Sequence, residues 1–98
     1  MTTEAMGTGA ANGNVLLKLR VTSGACWLVV REDSSTGAEI YAGTLSAGGE
    51  QTFDTAKRYW MMVGAPEVLA VSVNGRTFTL SGPAGAFVVT EAGVKRAQ

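Results

Sequence analysis

The sequence predicts an all-β protein, an antiparallel β-sandwich of immunoglobulin-like architecture with about seven or eight short strands. Asn74-Gly75 is flanked by alternating apolar and polar residues, and Asn-Gly is the strongest short signal for a two-residue hairpin turn. Similar alternating segments recur every 8–12 residues or so, separated by Gly- and Ser-rich turns, as in sandwiches and small barrels. No segment has a 3.6-residue apolar period long enough for a stable helix.

The Asn74-Gly75 turn also predicts the register of its hairpin, because a type I′ turn has two central residues with positive φ. The predicted pairs are Val71 with Phe78 and Leu69 with Leu80 on the core face, and Ser72 with Thr77 and Ala70 with Thr79 on the outer face. The other predicted strands cover residues 15–21, 26–31, 40–45, 51–54, 59–63 and 86–90.

The first two of these strands alternate strictly and are separated by the turn signal 22–25. A hairpin that places Val21 opposite Cys26 gives a uniformly apolar core face. The same hairpin pairs Arg20 with Trp27 and Lys18 with Val29 on its outer face. Cys26 then points inward, and we interpret it as a buried small hydrophobic residue.

Composition excludes several kinds of chemistry. The chain of 98 residues has no histidine and one cysteine, which excludes histidine-based catalysis, an internal disulfide and Cys/His zinc sites. Its formal net charge is zero, so sequence-independent binding to nucleic acid is not expected. We expect no cofactor and no metal.

Four carboxylates lie near predicted turns, and two of them could converge as a glycosidase-like pair. The favoured interpretation is solvated turn residues and a protein that is not an enzyme. The four are Asp33, Glu39, Glu50 and Asp54.

The ends of the chain differ in composition from its centre. Residues 1–13 are rich in Thr, Gly and Ala, without the basic and apolar regions of a signal peptide, and predict a flexible linker or an expression remnant. Residues 14–90 form the predicted domain, and residues 91–98 a flexible tail. No apolar run approaches the roughly 20 residues that span a bilayer.

Several motifs occur in an order that resembles one known family. They are Cys26-Trp27-Leu28-Val29-Val30, the segment 41–50 with Gly43, Leu45 and Gly48, the Phe53 strand, Val63-Gly64, Val71-Ser72-Val73-Asn74-Gly75-Arg76 and the loop 81–85. Together they resemble the C-terminal extracytoplasmic domain of RodZ-like bacterial proteins, over about residues 14–90. Two features depart from the family pattern: Gly64 is followed by Ala65-Pro66, and Val29 stands where a polar residue is common.

The resemblance implies a modular parent protein. RodZ-like proteins have a cytoplasmic helix-turn-helix domain that binds the actin-like protein MreB, one membrane helix, a linker and this β domain outside the membrane. The resemblance therefore implies a role in cell shape and wall elongation. It also implies a single-pass anchor that this chain does not contain, a location on the extracytoplasmic side of the plasma membrane, and wall-synthesis or shape-complex proteins as partners.

The candidate partner-binding face combines the outer side of the first hairpin with the fifth strand. It comprises Lys18, Arg20, Trp27, Val29, Arg31, Trp60 and Met62. Tryptophans between cations can bind a protein, an anionic wall polymer or lipid headgroups. In the alternative interpretation, Trp27 only stacks on Arg20 and is covered by a loop or the N-terminal segment. A small carbohydrate- or peptidoglycan-binding module is the second functional hypothesis.

Overall fold

The computed structural model describes residues 13–80 and 82–97, which form nine β-strands and one short 3-10 helix. The strands are β1 (Leu17–Val21), β2 (Ala25–Glu32), β3 (Glu39–Ser46), β4 (Glu50–Phe53), β5 (Tyr59–Val63), β6 (Leu69–Val73), β7 (Arg76–Thr79), β8 (Gly85–Thr90) and β9 (Gly93–Arg96), and the 3-10 helix is Pro66–Val68.

The strands form two antiparallel sheets that face each other. The four-stranded sheet has the order β4-β1-β6-β7, and the five-stranded sheet has the order β3-β2-β5-β8-β9. The predicted class, an all-β antiparallel sandwich, is confirmed, with β9 as a strand beyond those expected. Each sheet turns one set of alternating side chains inward, and these sets form a single core.

The core is closely filled by aliphatic and aromatic side chains. Leu17, Leu19, Leu28, Met61 and Tyr59 are among its fully buried members. Cys26 is 1% exposed, which confirms its predicted inward position.

The Asn74-Gly75 hairpin has the predicted conformation, with φ of 50° at Asn74 and 87° at Gly75. The predicted pairs of Val71 with Phe78, Ser72 with Thr77 and Ala70 with Thr79 are confirmed, while Leu80 lies just beyond the end of β7. Asn74 also has a role that the turn signal did not predict. Its Oδ1 accepts a hydrogen bond of 2.8 Å from the Leu16 N–H, and its own N–H donates to the Leu16 carbonyl.

The predicted hairpin of the first two strands is wrong. β1 pairs with β4 and β6, and β2 pairs with β3 and β5, so the chain crosses from one sheet to the other after Val21. Strict alternation decides which side of a strand is core but not which strand lies beside it. Two apolar faces that would line a hairpin are equally well buried when stacked across the sandwich.

The predicted flexible tail 91–98 also needs correction, because β9 occupies Gly93–Arg96 within it. β9 pairs with β8, and Val94 packs against the core. Except for Gly13, the predicted linker 1–13 lies outside the described residues. The described residues include no helix long and apolar enough to cross a membrane.

Candidate functional site

The outer side of the five-stranded sheet carries two rows of side chains in cross-strand register. In one row Ala42, Val29, Met62 and Ala86 are neighbours on β3, β2, β5 and β8. In the other, Glu39, Arg31, Trp60, Val88 and Lys95 follow one another from β3 to β9. The first row is apolar throughout, and the second has an apolar centre with charged ends.

Trp27 extends this surface beyond the end of β5. The Trp27 side chain is 49% exposed, the one exposed large hydrophobic side chain in the described part of the chain. Its backbone carbonyl accepts a 2.8 Å hydrogen bond from the Gly64 N–H. A Cβ atom at position 64 would lie 3.2 Å from the Trp27 Cβ, so Gly64 allows the chain to pass close beside the backbone of Trp27.

We call the surface formed by Trp27, Val29, Trp60, Met62 and Val88 the aromatic face. All of these except Trp27 are half-buried, as expected for side chains that pack against neighbours on a sheet surface. Aromatic residues and methionine are enriched in protein interfaces, and an uncovered patch of this kind is typical of an interaction site.

The charge at the β3 end of this face is compensated. Arg31 Nη2 lies 3.5 Å from Glu39 Oε1, and Arg31 Nη1 donates a 3.1 Å hydrogen bond to the Gly37 carbonyl. Arg31 is therefore held in place and paired, although such a half-exposed ion pair adds little stability.

The seven predicted site residues do not form one surface. Trp27, Val29, Arg31, Trp60 and Met62 are brought together because β5 lies beside β2. Lys18 and Arg20 lie on the outer side of the opposite sheet.

The predicted stacking of Arg20 on Trp27 is wrong for the same reason. Arg20 Nε instead lies 3.9 Å from Glu50 Oε2, and Lys18 stands between Thr52 and Ser72. Lys18, Arg20, Glu50 and Ser72 border a shallow cleft of about 270 Å³ with Thr77. With Thr52 and Thr79 on the same side of the sheet, this second surface is polar and rich in hydroxyl groups.

Val88 in the aromatic face and Lys95 at its border were not predicted from the sequence. Val88 could have been found, because Phe87 and Val89 on either side of it are clearly core residues. Lys95 could not, because its strand carries too little apolar signal to be recognised.

The four carboxylates noted in the sequence flank strands of both sheets, Asp33 and Glu39 at β2 and β3, and Glu50 and Asp54 at β4. Glu39 and Glu50 lie on different sheets, each beside an arginine. Within the described ranges no group of three or more Asp, Glu, Cys or His side chains could hold a metal ion.

Fold and surface together define a small β-sandwich domain with an aromatic face on the outer side of one sheet and a polar face on the outer side of the other; the N-terminal segment that could cover Trp27 lies outside the described residues. Residues 18–90 match the model of the RodZ C-terminal domain family. The chain belongs to that family, which is not a known enzyme family. No curated protein and no solved structure matches the chain.

Proposed function

We propose that this domain is a non-catalytic protein-interaction module of a RodZ-like membrane protein involved in cell shape and wall elongation. In this proposal the domain lies on the extracytoplasmic side of the plasma membrane, and its anchoring helix belongs to another part of the parent protein. Its partners are wall-synthesis or shape-complex proteins, and the aromatic face contacts them.

The aromatic face is the observation that carries this proposal. The surface is continuous from the half-exposed Trp27 through Val29 and Met62 to Trp60, and no charged side chain interrupts it. This distribution is typical of the centre of an interface. Tryptophan is also enriched among residues that dominate binding energy. The family membership supports the RodZ-like setting.

Site-specific photo-crosslinking in living cells tests the partner and the face together. Trp27 is replaced by p-benzoylphenylalanine in the membrane-bound parent, which keeps an aromatic ring at the centre of the proposed contact. Illumination is expected to join position 27 to a wall-synthesis or shape-complex protein, identified by mass spectrometry.

Thr77 provides the matched control position. It is exposed, as Trp27 is, but lies on β7 in the opposite sheet. Equal crosslinking from positions 27 and 77, or none from position 27, would contradict the proposed interface.

A carbohydrate- or peptidoglycan-binding role is the second candidate, because an exposed indole can stack on a sugar ring. It predicts saturable binding of purified wall fragments to the domain, measured by NMR chemical shifts, and loss of that binding in Trp27→Ala. Shifts around Trp27 and Trp60 without any protein crosslink would favour this function over the first.

A further inference from the structure

The aromatic face ends in a cationic cleft on the β9 side. Arg58 and Lys95 border this cleft of about 330 Å³, together with Val88 and Thr90. Val88 belongs to the aromatic face, so the cleft continues directly from the apolar surface. Arg96 also lines the cleft, but its guanidinium stacks over the Phe87 ring and donates to the Pro83 carbonyl. The groups offered to a ligand are therefore the Arg58 guanidinium, the Lys95 ammonium and the Thr90 hydroxyl.

The charges of this cleft are not compensated within the described part of the chain. Arg20 and Arg31 each lie beside a glutamate, whereas neither Arg58 nor Lys95 forms an ion pair with a described residue. Glu91 borders a neighbouring cleft with Lys57 and Arg58. Lys57, Arg58 and Lys95 therefore outnumber this one carboxylate. One end of the aromatic face is therefore neutral, and the other is positive.

We infer that the Arg58–Lys95 cleft binds a carboxylate of a protein partner whose apolar side chains cover the adjoining aromatic face. This inference rests on the proposed use of that face as an interaction surface, and it adds the chemistry of the ligand. A partner segment that alternates acidic and apolar residues satisfies both parts of the surface. Arginine suits the carboxylate because its planar fork can bind both oxygens.

The distribution of charge favours a protein over a lipid surface. Recognition of anionic membranes usually requires clusters of about four to eight cations, and each adds only a small increment. Here Arg58 and Lys95, with Lys57 in the neighbouring cleft, stand at one end of the face, and the other end is neutral because Arg31 pairs with Glu39. An anionic bilayer would also cover the neutral end and gain no attraction there, whereas a peptide can place its carboxylate at the positive end only.

The test uses the isolated chain with defined probes and two-dimensional NMR. The probes are the capped pentapeptide Leu-Asp-Val-Asp-Leu, its counterpart Leu-Asn-Val-Asn-Leu, and sodium acetate against sodium chloride at equal ionic strength. The acidic peptide and acetate are expected to cause saturable shifts at the side chain of Arg58 and the amides of β9. The Asn peptide is expected to bind more weakly.

Charge-removing variants locate the binding. Arg58→Gln combined with Lys95→Gln is expected to weaken binding of the acidic peptide about tenfold and to flatten its salt dependence. Lys18→Gln combined with Arg20→Gln removes the same two charges from the opposite sheet and is expected to leave the affinity unchanged.

Each remaining outcome decides against the inference or separates it from the proposed function. The inference is overturned if both peptides bind equally well, or if neither the acidic peptide nor acetate causes a saturable shift. It is also overturned if the two double variants lose the same amount of affinity for the acidic peptide. Binding to phosphatidylglycerol vesicles without binding to the acidic peptide overturns it in favour of a membrane surface. If the acidic peptide binds but position 27 crosslinks to no wall-synthesis or shape-complex protein, the cleft chemistry stands and the proposed partners are rejected.

Discussion

At the scale of single residues, Tyr59 joins three separate segments from inside the core. Its hydroxyl donates a 2.9 Å hydrogen bond to the Val15 carbonyl and accepts hydrogen bonds from the N–H groups of Thr55 and Ala56. The side chain is fully buried. The arrangement is similar to the tyrosine corner of immunoglobulin-like sandwiches, in which a tyrosine hydroxyl bonds to backbone a few residues upstream.

Tyr59→Phe is therefore expected to destabilise the domain by about 2–3 kcal/mol, because two donors and one acceptor lose a buried partner. For a domain of this size the corresponding fall in Tm is roughly 10–15 °C. Thermal and urea unfolding followed by circular dichroism measure both quantities.

Tyr41→Phe is the matched control for this change. The Tyr41 side chain also packs against Phe53, with ring centroids 6.3 Å apart, but its hydroxyl makes no hydrogen bond to the described part of the chain. It is expected to cost less than about 0.5 kcal/mol. Similar losses in the two variants would show that the hydrogen bonds of Tyr59 add no stability.

At the scale of elements, what could be predicted from sequence was the conformation of each strand and its buried side. The alternation of Leu17, Leu19 and Val21 identified their inward side correctly, and Asn74-Gly75 identified both a turn and a register. The neighbours of β1 could not be predicted, because its hydrogen-bond partners come from segments about 30 to 56 residues away along the chain. Only a local turn such as Asn74-Gly75 carries pairing information in a short stretch.

β9 was missed because it contains a single aliphatic residue, Val94, and begins at an unusual glycine. Gly93 has φ of 134°, and a Cβ atom there would lie 2.9 Å from the Phe78 ring in the opposite sheet. Further along the strand, Arg96 stacks over the Phe87 ring at 4.6 Å and donates to the Pro83 carbonyl. The approach of Gly93 to Phe78 is between sheets, the stacking of Arg96 on Phe87 is between neighbouring strands, and the hydrogen bond to Pro83 is to a loop. None of these contacts leaves a periodic signal in the sequence.

Gly93→Ala is expected to cost about 2–4 kcal/mol, because it combines a disfavoured backbone angle with a close contact to Phe78. Gly24→Ala is the matched control, since Gly24 also has positive φ, 64°, but nothing lies within 4 Å of the position of its Cβ. That change is expected to cost about 1 kcal/mol from the backbone alone. Equal changes in the free energy of unfolding would show that the approach to Phe78 is unimportant.

At the scale of the whole molecule, the sandwich separates two surfaces of different chemistry. The membership of each surface followed from the order of strands rather than from any local motif. Sequence reasoning therefore identified outward residues on individual strands correctly but placed Lys18 and Arg20 beside Trp27, which lies on the other sheet. The aromatic face is one surface because β5 and β8 follow β2 in the same sheet, an order that no local motif indicates.

The proposed extracytoplasmic location can be tested with this geometry. Thr77→Cys in the membrane-bound parent places a thiol on the exposed outer side of β7, and intact cells are then treated with a membrane-impermeant maleimide. Position 77 is expected to be labelled without lysis. The native Cys26, 1% exposed, is expected to react only after denaturation and serves as the internal control. Labelling of position 77 only after lysis would contradict the proposed location.

The placement of both tryptophans on one sheet has a practical consequence. Trp27 and Trp60 are the only tryptophans in the chain, and both project from the outer side of the five-stranded sheet. Indole emission responds to the polarity and contacts of its immediate surroundings, and the core separates both rings from the four-stranded sheet. The unlabelled domain thus carries an intrinsic optical reporter for one of its two surfaces, and a ligand seated on the other surface would leave that signal unchanged.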